Sequence, residues 1–178
     1  MSFSFSVERE IPDRLGRSGE IVTPHGVIKT PAFIPVGTKA TVKSVLPDSV
    51  EGLGAQAVLA NAYHLYLQPG PDVLDDAGGI SKFMNWDQPT FTDSGGFQVM
   101  SLGVGFKKVI DMGGAELAED DVIADARERL AKVDDDGVTF KSHLDGSMHR
   151  FTPEISMQVQ HKLGADRKSN TSELQSRL

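Results

Sequence analysis

The feature that most constrains this chain is an alternation that runs through its first hundred residues. Short apolar runs end on polar residues, and stretches with helix starts and glycine stops separate them. AQAVLANA (55–62) is an apolar run that reaches a polar Asn61, and PTFT runs straight into Asp93. Before the first run, Pro47, Asp48 and Ser49 open a helical stretch, VEGL, closed by Gly54. Between the two runs, LQPGPDVLDDAGG reads as a turn and a short helix, again closed by glycines. Strand, helix, strand, helix, strand predicts βα units and a parallel sheet. In such folds functional residues gather at the carboxyl ends of the strands. Asn61 and Asp93 both occupy that position.

Ahead of these units, FSFSVERE and GEIVTPHGVIKTPAFIPVG alternate at the strand period, with His25-Gly26 as the expected hairpin turn. An antiparallel hairpin layer therefore precedes the parallel sheet. Later, GVTFKSHLDGSMHRF reads as a hairpin around Asp145-Gly146. Thr152 then caps a helix with Pro153 in its first turn, Ile155, Val159 and Leu163 form its apolar stripe, and Gly164 ends it. After Asp166 the period stops, and 167–178 (RKSNTSELQSRL from Arg167) reads as a polar, disordered tail.

A net charge of −7 argues at first against a nucleic-acid partner. The charge is local, however. Residues 111–136 hold ten acids and three bases, and the remaining chain has fifteen of each. Ile123, Ala126, Leu130 and Val133 recur at helical spacing, with Asp125–Arg129 and Glu128–Lys132 as i,i+4 pairs in the favourable order. A solvated helix is therefore expected over Ala115–Val133, within an acidic insertion spanning 108–136. No apolar run approaches the roughly 20 residues that cross a bilayer, so no membrane partner is expected. MSFSFSVERE lacks the basic start and apolar stretch of a secretory signal, so the expected location is cytoplasmic. With no cysteine, the chain has neither disulfides nor a thiolate metal site.

Asp93 lies in TFTDSGGFQVMSL (90–102), where its carboxylate can serve as a catalytic group, a helix N-cap or a turn residue. Gly95 and Gly96 permit close backbone approach to a ligand, and the Phe97 ring is available to stack or to pack. The DSGG run lacks the lysine and spacing of a phosphate-binding loop. His143, Asp145 and His149 can be drawn as metal ligands, but a turn with nearby polar side chains accounts for them better. His64, in NAYHLY, is expected to be a hydrogen-bonded packing histidine.

Taken together, TPAFIPVGTKATVKSV, NAYHLYLQPG, FMNWDQPTFTDSGGFQVMSL and GVTFKSHLDGSMHRFTPEISMQVQHKLGAD closely resemble the bacterial tRNA-guanine transglycosylase (queuine tRNA-ribosyltransferase) family, in the family's order. The resemblance covers about residues 1–107 and 137–166. It implies a (β/α)8 TIM barrel, of which this chain would hold the N-terminal portion, incomplete, over residues 1–166. It also implies exchange of guanine at the tRNA wobble position for a 7-deazaguanine, preQ1 in bacteria, in queuosine biosynthesis. On that resemblance Asp93 is the general acid/base, and Ser94, Gly95, Gly96 and Phe97 help wall the purine pocket. Asn61 is then a polar neighbour near the reacting sugar, and the GTKATVK loop (37–43) lies near a homodimer contact. The implied partners are tRNA, the purine base and a second copy of the full-length protein.

The chemistry agrees with these roles. A glycosidic bond that breaks through an oxocarbenium-like state needs one carboxylate to attack the sugar and another to manage the proton of the leaving base. Chemistry on a stacked base also requires extruding it into a pocket. The family's second catalytic aspartate, its base-recognising aspartate and its Cys/His zinc site are all expected downstream. No cofactor or metal is therefore expected in this chain, and catalysis by the chain alone is not expected. The alternative is a non-catalytic relative that acts as a binding module or pairs with a full-length subunit.

Overall fold

A computed structural model describes residues 3–99 and 131–168. Its first layer is an antiparallel sheet of β1 (Ser4–Glu10), β2 (Arg17–Thr23) and β3 (Gly26–Thr30) in chain order. The tight turn between β2 and β3 is Pro24–His25, one residue earlier than expected, because Gly26 already pairs with Thr23. Proline presets φ for the first central position of a turn. The Thr23 hydroxyl closes the turn by accepting from the His25 N–H and donating to the Gly26 carbonyl.

The second layer is the expected parallel sheet. Val36 bridges Leu59 in parallel, β4 (Val58–Ala60) pairs with β5 (Thr90–Thr92), and β5 pairs with β9 (Arg167–Lys168). These segments follow one another in chain order, with helices on the connections: α1 (Pro47–Gly52), then α2 (Ala62–Leu67), α3 (Pro71–Asp76) and α4 (Ile80–Met84), and finally α5 (Pro153–Leu163). The architecture is mixed α/β, and no closed barrel forms among the described residues. Only three residues of the AQAVLANA run pair as strand, since Ala62 already begins α2. Arg167 and Lys168 correct the expected start of the tail, for both pair with β5. Residues 169–178 lie outside the described residues.

A second antiparallel sheet joins β6 (Ala131–Asp134), β7 (Gly137–Lys141) and β8 (Met148–Phe151). The helix expected over 115–133 lies outside the described residues up to 130, and its last three positions are corrected to strand. The physical reason lies in the partners of this segment. Ala131 is buried opposite Phe140, and the Asp134 carboxylate accepts the backbone N–H groups of Asp136 and Gly137 and a two-pronged bond from Arg150. A helix continued through Asp134–Asp136 would instead place three acids against the negative end of its dipole. The loop from β7 to β8 spans residues 142–147, wider than a tight Asp145-Gly146 turn, with Gly146 left-handed at φ +75°.

The main core packs Val58, Ala60, Leu65, Leu74, Ile80 and Leu163 around one side of the parallel sheet. α5 is built as its sequence predicts. The Thr152 hydroxyl accepts from the Ile155 N–H at 3.3 Å, and Gly164 ends the helix at φ +64°. Asp166 follows, its side chain wholly buried. It accepts the Thr90 N–H at 2.9 Å and pairs with the half-exposed His25 ring at 2.8 Å, tying β5 to the tip of the first sheet. Among the described residues no helix is long and apolar enough to cross a membrane.

Candidate functional site

Parallel pairing of Ala60 with Thr92 sets Asn61 and Asp93 side by side at the carboxyl ends of β4 and β5. Three donors converge on the Asp93 carboxylate. Oδ2 accepts from Asn61 Nδ2 at 2.6 Å and from Gln98 Nε2 at 2.9 Å, and Oδ1 accepts from the Ala62 N–H at 2.8 Å. A helix start leaves backbone N–H groups without intrahelical partners. Here Asn61 occupies the N-cap position of α2 without capping it, because its side chain turns to Asp93. Asp93 serves that helix in its place, from the neighbouring strand. The capping role therefore exists, on a helix 31 residues upstream rather than on the one that follows.

The residues after Asp93 divide by environment. Ser94 is buried, its carbonyl accepting from the Ser156 hydroxyl of α5 at 2.7 Å and its own hydroxyl accepting from the Gly96 N–H at 3.3 Å. Gly95 is left-handed at φ +74°, and a Cβ there would stand 2.9 Å from the Tyr63 backbone nitrogen. In this structure the close approach that glycine allows is made to α2. Gly96 is half-buried. Phe97 is 65% exposed, so its ring does not serve the core. Gln98 was not singled out from the sequence, although an amide a turn beyond an aspartate in DSGGFQ is a visible hydrogen-bonding signal.

A ring of histidines and tyrosines stands beside this turn, on α2, the 142–147 loop and β8. Tyr63 and Tyr66 hydroxyls meet Nδ1 of His143 and His149, each at 3.2 Å, and the Ser147 hydroxyl bridges His149 Nε2 and Asp145. Burial pushes both tyrosine hydroxyls above their usual range. Hydrogen bonds from the Ser147 and Ser142 hydroxyls hold Asp145 down at about 2. His143 is engaged by Tyr63, whereas Asp145 and His149 share the Ser147 hydroxyl, and the three do not converge on one point. Among the described residues no cluster of three or more histidines or acids is placed to hold a metal ion. With no cysteine in the sequence, the residues present do not fit a Cys/His zinc set.

His64 departs from expectation. It packs edge-on against Tyr63 and His143 at centroid distances of 5.1 and 6.1 Å, yet its buried Nδ1 has no hydrogen-bond partner among the described residues. Desolvation lowers its pKa, and the charges of His143 and Lys39 lower it further against an opposing pull from Asp93. Its ring is thereby favoured in the neutral form.

A carboxylate flanked by carboxamides at the mouth of parallel strands, beside an exposed aromatic ring, can hold and pass a proton next to a flat ligand. Sequence comparison identifies the relatives of this arrangement. The sequence model of the queuine tRNA-ribosyltransferase family matches residues 13–168. The queuine tRNA-ribosyltransferase of Herpetosiphon aurantiacus is 47% identical over 165 residues, covering 93% of this chain and 35% of that protein. Those of Roseiflexus sp. and Moorella thermoacetica are each 48% identical, over 93% and 92% of this chain and 40% and 37% of their own lengths. The chain thus spans between a third and two-fifths of the length of these curated relatives. It belongs to the queuine tRNA-ribosyltransferase family.

Proposed function

We propose that this chain carries the proton-handling half of a tRNA-guanine transglycosylase site, in a portion of a (β/α)8 barrel. Asp93 takes or gives the proton of the departing or entering purine while a second carboxylate, outside the residues assigned here, attacks the ribose carbon. The observation that carries this reading is the Asp93 carboxylate at the carboxyl end of β5, held by Asn61 and Gln98 and by the Ala62 N–H. Phe97 is the stacking surface for the extruded base, and Asn61 lies toward the sugar. Ser94, Gly95 and Gly96 form the turn that backs the pocket. The substrates are a tRNA wobble guanine and a 7-deazaguanine. The full-length protein works as a cytoplasmic homodimer with the 37–43 loop near its contact, and its zinc site lies on other residues.

The test is incorporation of labelled guanine into a cognate tRNA by purified 1–178, with a full-length relative as positive control. The chain alone is expected to give no turnover above background. In a complete enzyme, Asp93→Asn is expected to lower turnover on the order of 10²-fold or more, as loss of proton-transfer catalysis does. Turnover by the chain alone, abolished by Asp93→Asn, would place both carboxylates within these residues and overturn the assignment. A second reading, a non-catalytic partner module, predicts binding to a full-length subunit with no effect of Asp93→Asn.

A further inference from the structure

We infer that Ser156, oriented by Gln160, is a positioning residue for Asp93: α5 fixes the turn that carries the carboxylate through one buried hydrogen bond to the Ser94 carbonyl. Both side chains are fully buried. The Ser156 hydroxyl donates to Ser94 O at 2.7 Å, across 62 residues of sequence. Gln160 Nε2 donates to Ser156 Oγ at 3.2 Å and to the Ser156 carbonyl at 3.3 Å. A hydroxyl has one proton and can accept in return, so the order is fixed. Gln160 gives to Ser156, and Ser156 gives to Ser94. With the amide reversed, Gln160 Oε1 would draw the hydroxyl proton away from Ser94. In the observed orientation that oxygen is buried without a hydrogen-bond partner among the described residues.

Two features set this pair apart from ordinary helix packing. A helical serine commonly bonds back to the carbonyl four residues earlier. Here that carbonyl, on Thr152, accepts the Ser156 N–H at 2.9 Å, and the hydroxyl reaches across to the turn. Burying polar groups is costly unless they are paired, and an apolar pair of the same shape would pack as well. What the polar pair adds is direction. The peptide unit is planar, so holding the Ser94 carbonyl also fixes the Gly95 N–H, while the Tyr63 backbone leaves no room for a Cβ on Gly95. Asp93, one residue upstream, is then left in reach of the Ala62 N–H and Asn61. The functional meaning of this positioning rests on the proposed role of Asp93.

The test is amide hydrogen exchange, followed by NMR on ¹⁵N-labelled 1–178. The Ala62 amide reports the bond to Asp93 Oδ1, and the Val159 and Leu163 amides report α5. In Ser156→Ala the Ala62 protection is expected to fall on the order of tenfold, the scale of one lost hydrogen bond, with Val159 and Leu163 unchanged. Gln160→Met is expected to do the same, and Ser156→Thr, which keeps the hydroxyl, to restore protection. Unchanged Ala62 protection in either folded variant would overturn the inference. So would an equal loss at Ala62, Val159 and Leu163, or failure of both Ser156→Ala and Gln160→Met to fold, since each would mark a purely structural pair. The readout needs neither purine nor tRNA. Failure of the guanine-exchange experiment would therefore remove the proposed function and leave the Ala62 result standing.

Discussion

Gly95→Ala separates two explanations of the DSGG turn, closeness to a ligand and closeness to α2. The native residue sits at φ +74°, and an added Cβ would meet Tyr63 N at 2.9 Å, Cβ at 3.1 Å and Cα at 3.2 Å. The left-handed conformation costs an alanine about 1–2 kcal/mol. Forcing a methyl against backbone that cannot swing aside adds about 1–3 kcal/mol. The sum, roughly 2–5 kcal/mol, is a large share of a typical total of about 5–15 kcal/mol. At ~2–4 °C per kcal/mol for a chain of this size, Tm falls by roughly 10 °C. Gly54→Ala is the matched control, with φ +88° and no atom within 4 Å of the added Cβ, and it should lose only the conformational part. Thermal and urea unfolding of both variants, followed by circular dichroism, measures the difference. If Gly95→Ala loses no more stability than Gly54→Ala, the contact with α2 is not what requires glycine, and the turn is shaped for something else.

Three further outcomes follow from the same geometry. Asp166→Ala is expected to destabilise the fold by about 1–3 kcal/mol, because it leaves the Thr90 N–H unpaired and releases His25; a urea midpoint equal to wild type would refute this. Phe97→Ala, at a 65% exposed ring, should leave Tm within about 2 °C and, on the proposed function, weaken guanine binding measured by calorimetry; a large loss of stability would make the ring a core element. Asp134 and Asp145 are both held down at about 2, the first mainly by the Arg150 guanidinium, the second mainly by the Ser147 hydroxyl. A depressed carboxylate gives stability above its unfolded pKa that disappears as pH falls through the folded value. The β6–β7–β8 sheet should therefore keep this support above about pH 4 and lose it toward pH 2, seen as collapsing amide protection at Gly137 and Ser147.

Much of the site was legible because it sits on features local in sequence. Asn61 and Asp93 each follow an apolar run directly, so the parallel pairing that joins them follows from the alternation. Thr152, Pro153 and Gly164 mark both ends of α5 by cap chemistry alone. The misreadings have physical causes as well. α2 and α4 have six and five residues, too few for a helical period to stand out. Val133 extends the helical stripe of Ile123, Ala126 and Leu130 yet also fits a strand, and the decision lies with Phe140 and Arg150, which only the folded chain brings near. The partners of Gly95 and Ser94 lie on α2 and α5. No reading of DSGG by itself contains Tyr63 or Ser156.

The sheet that carries Asp93 also dictates an order of assembly. The first sheet closes through a six-residue loop and a two-residue turn, so it can form as soon as residues 4–30 exist. β5 finds one neighbour 32 residues back and the other 76 residues ahead. Closing the longer span costs only about 0.8 kcal/mol more than the shorter, but it must wait for the chain to be made. During synthesis at ~5–20 residues per second, the segment bearing the carboxylate spends several seconds with one side of β5 unpaired. A nascent chain is most exposed to mispairing in that interval, and Asp166, which clasps Thr90 and His25 together, arrives at its end.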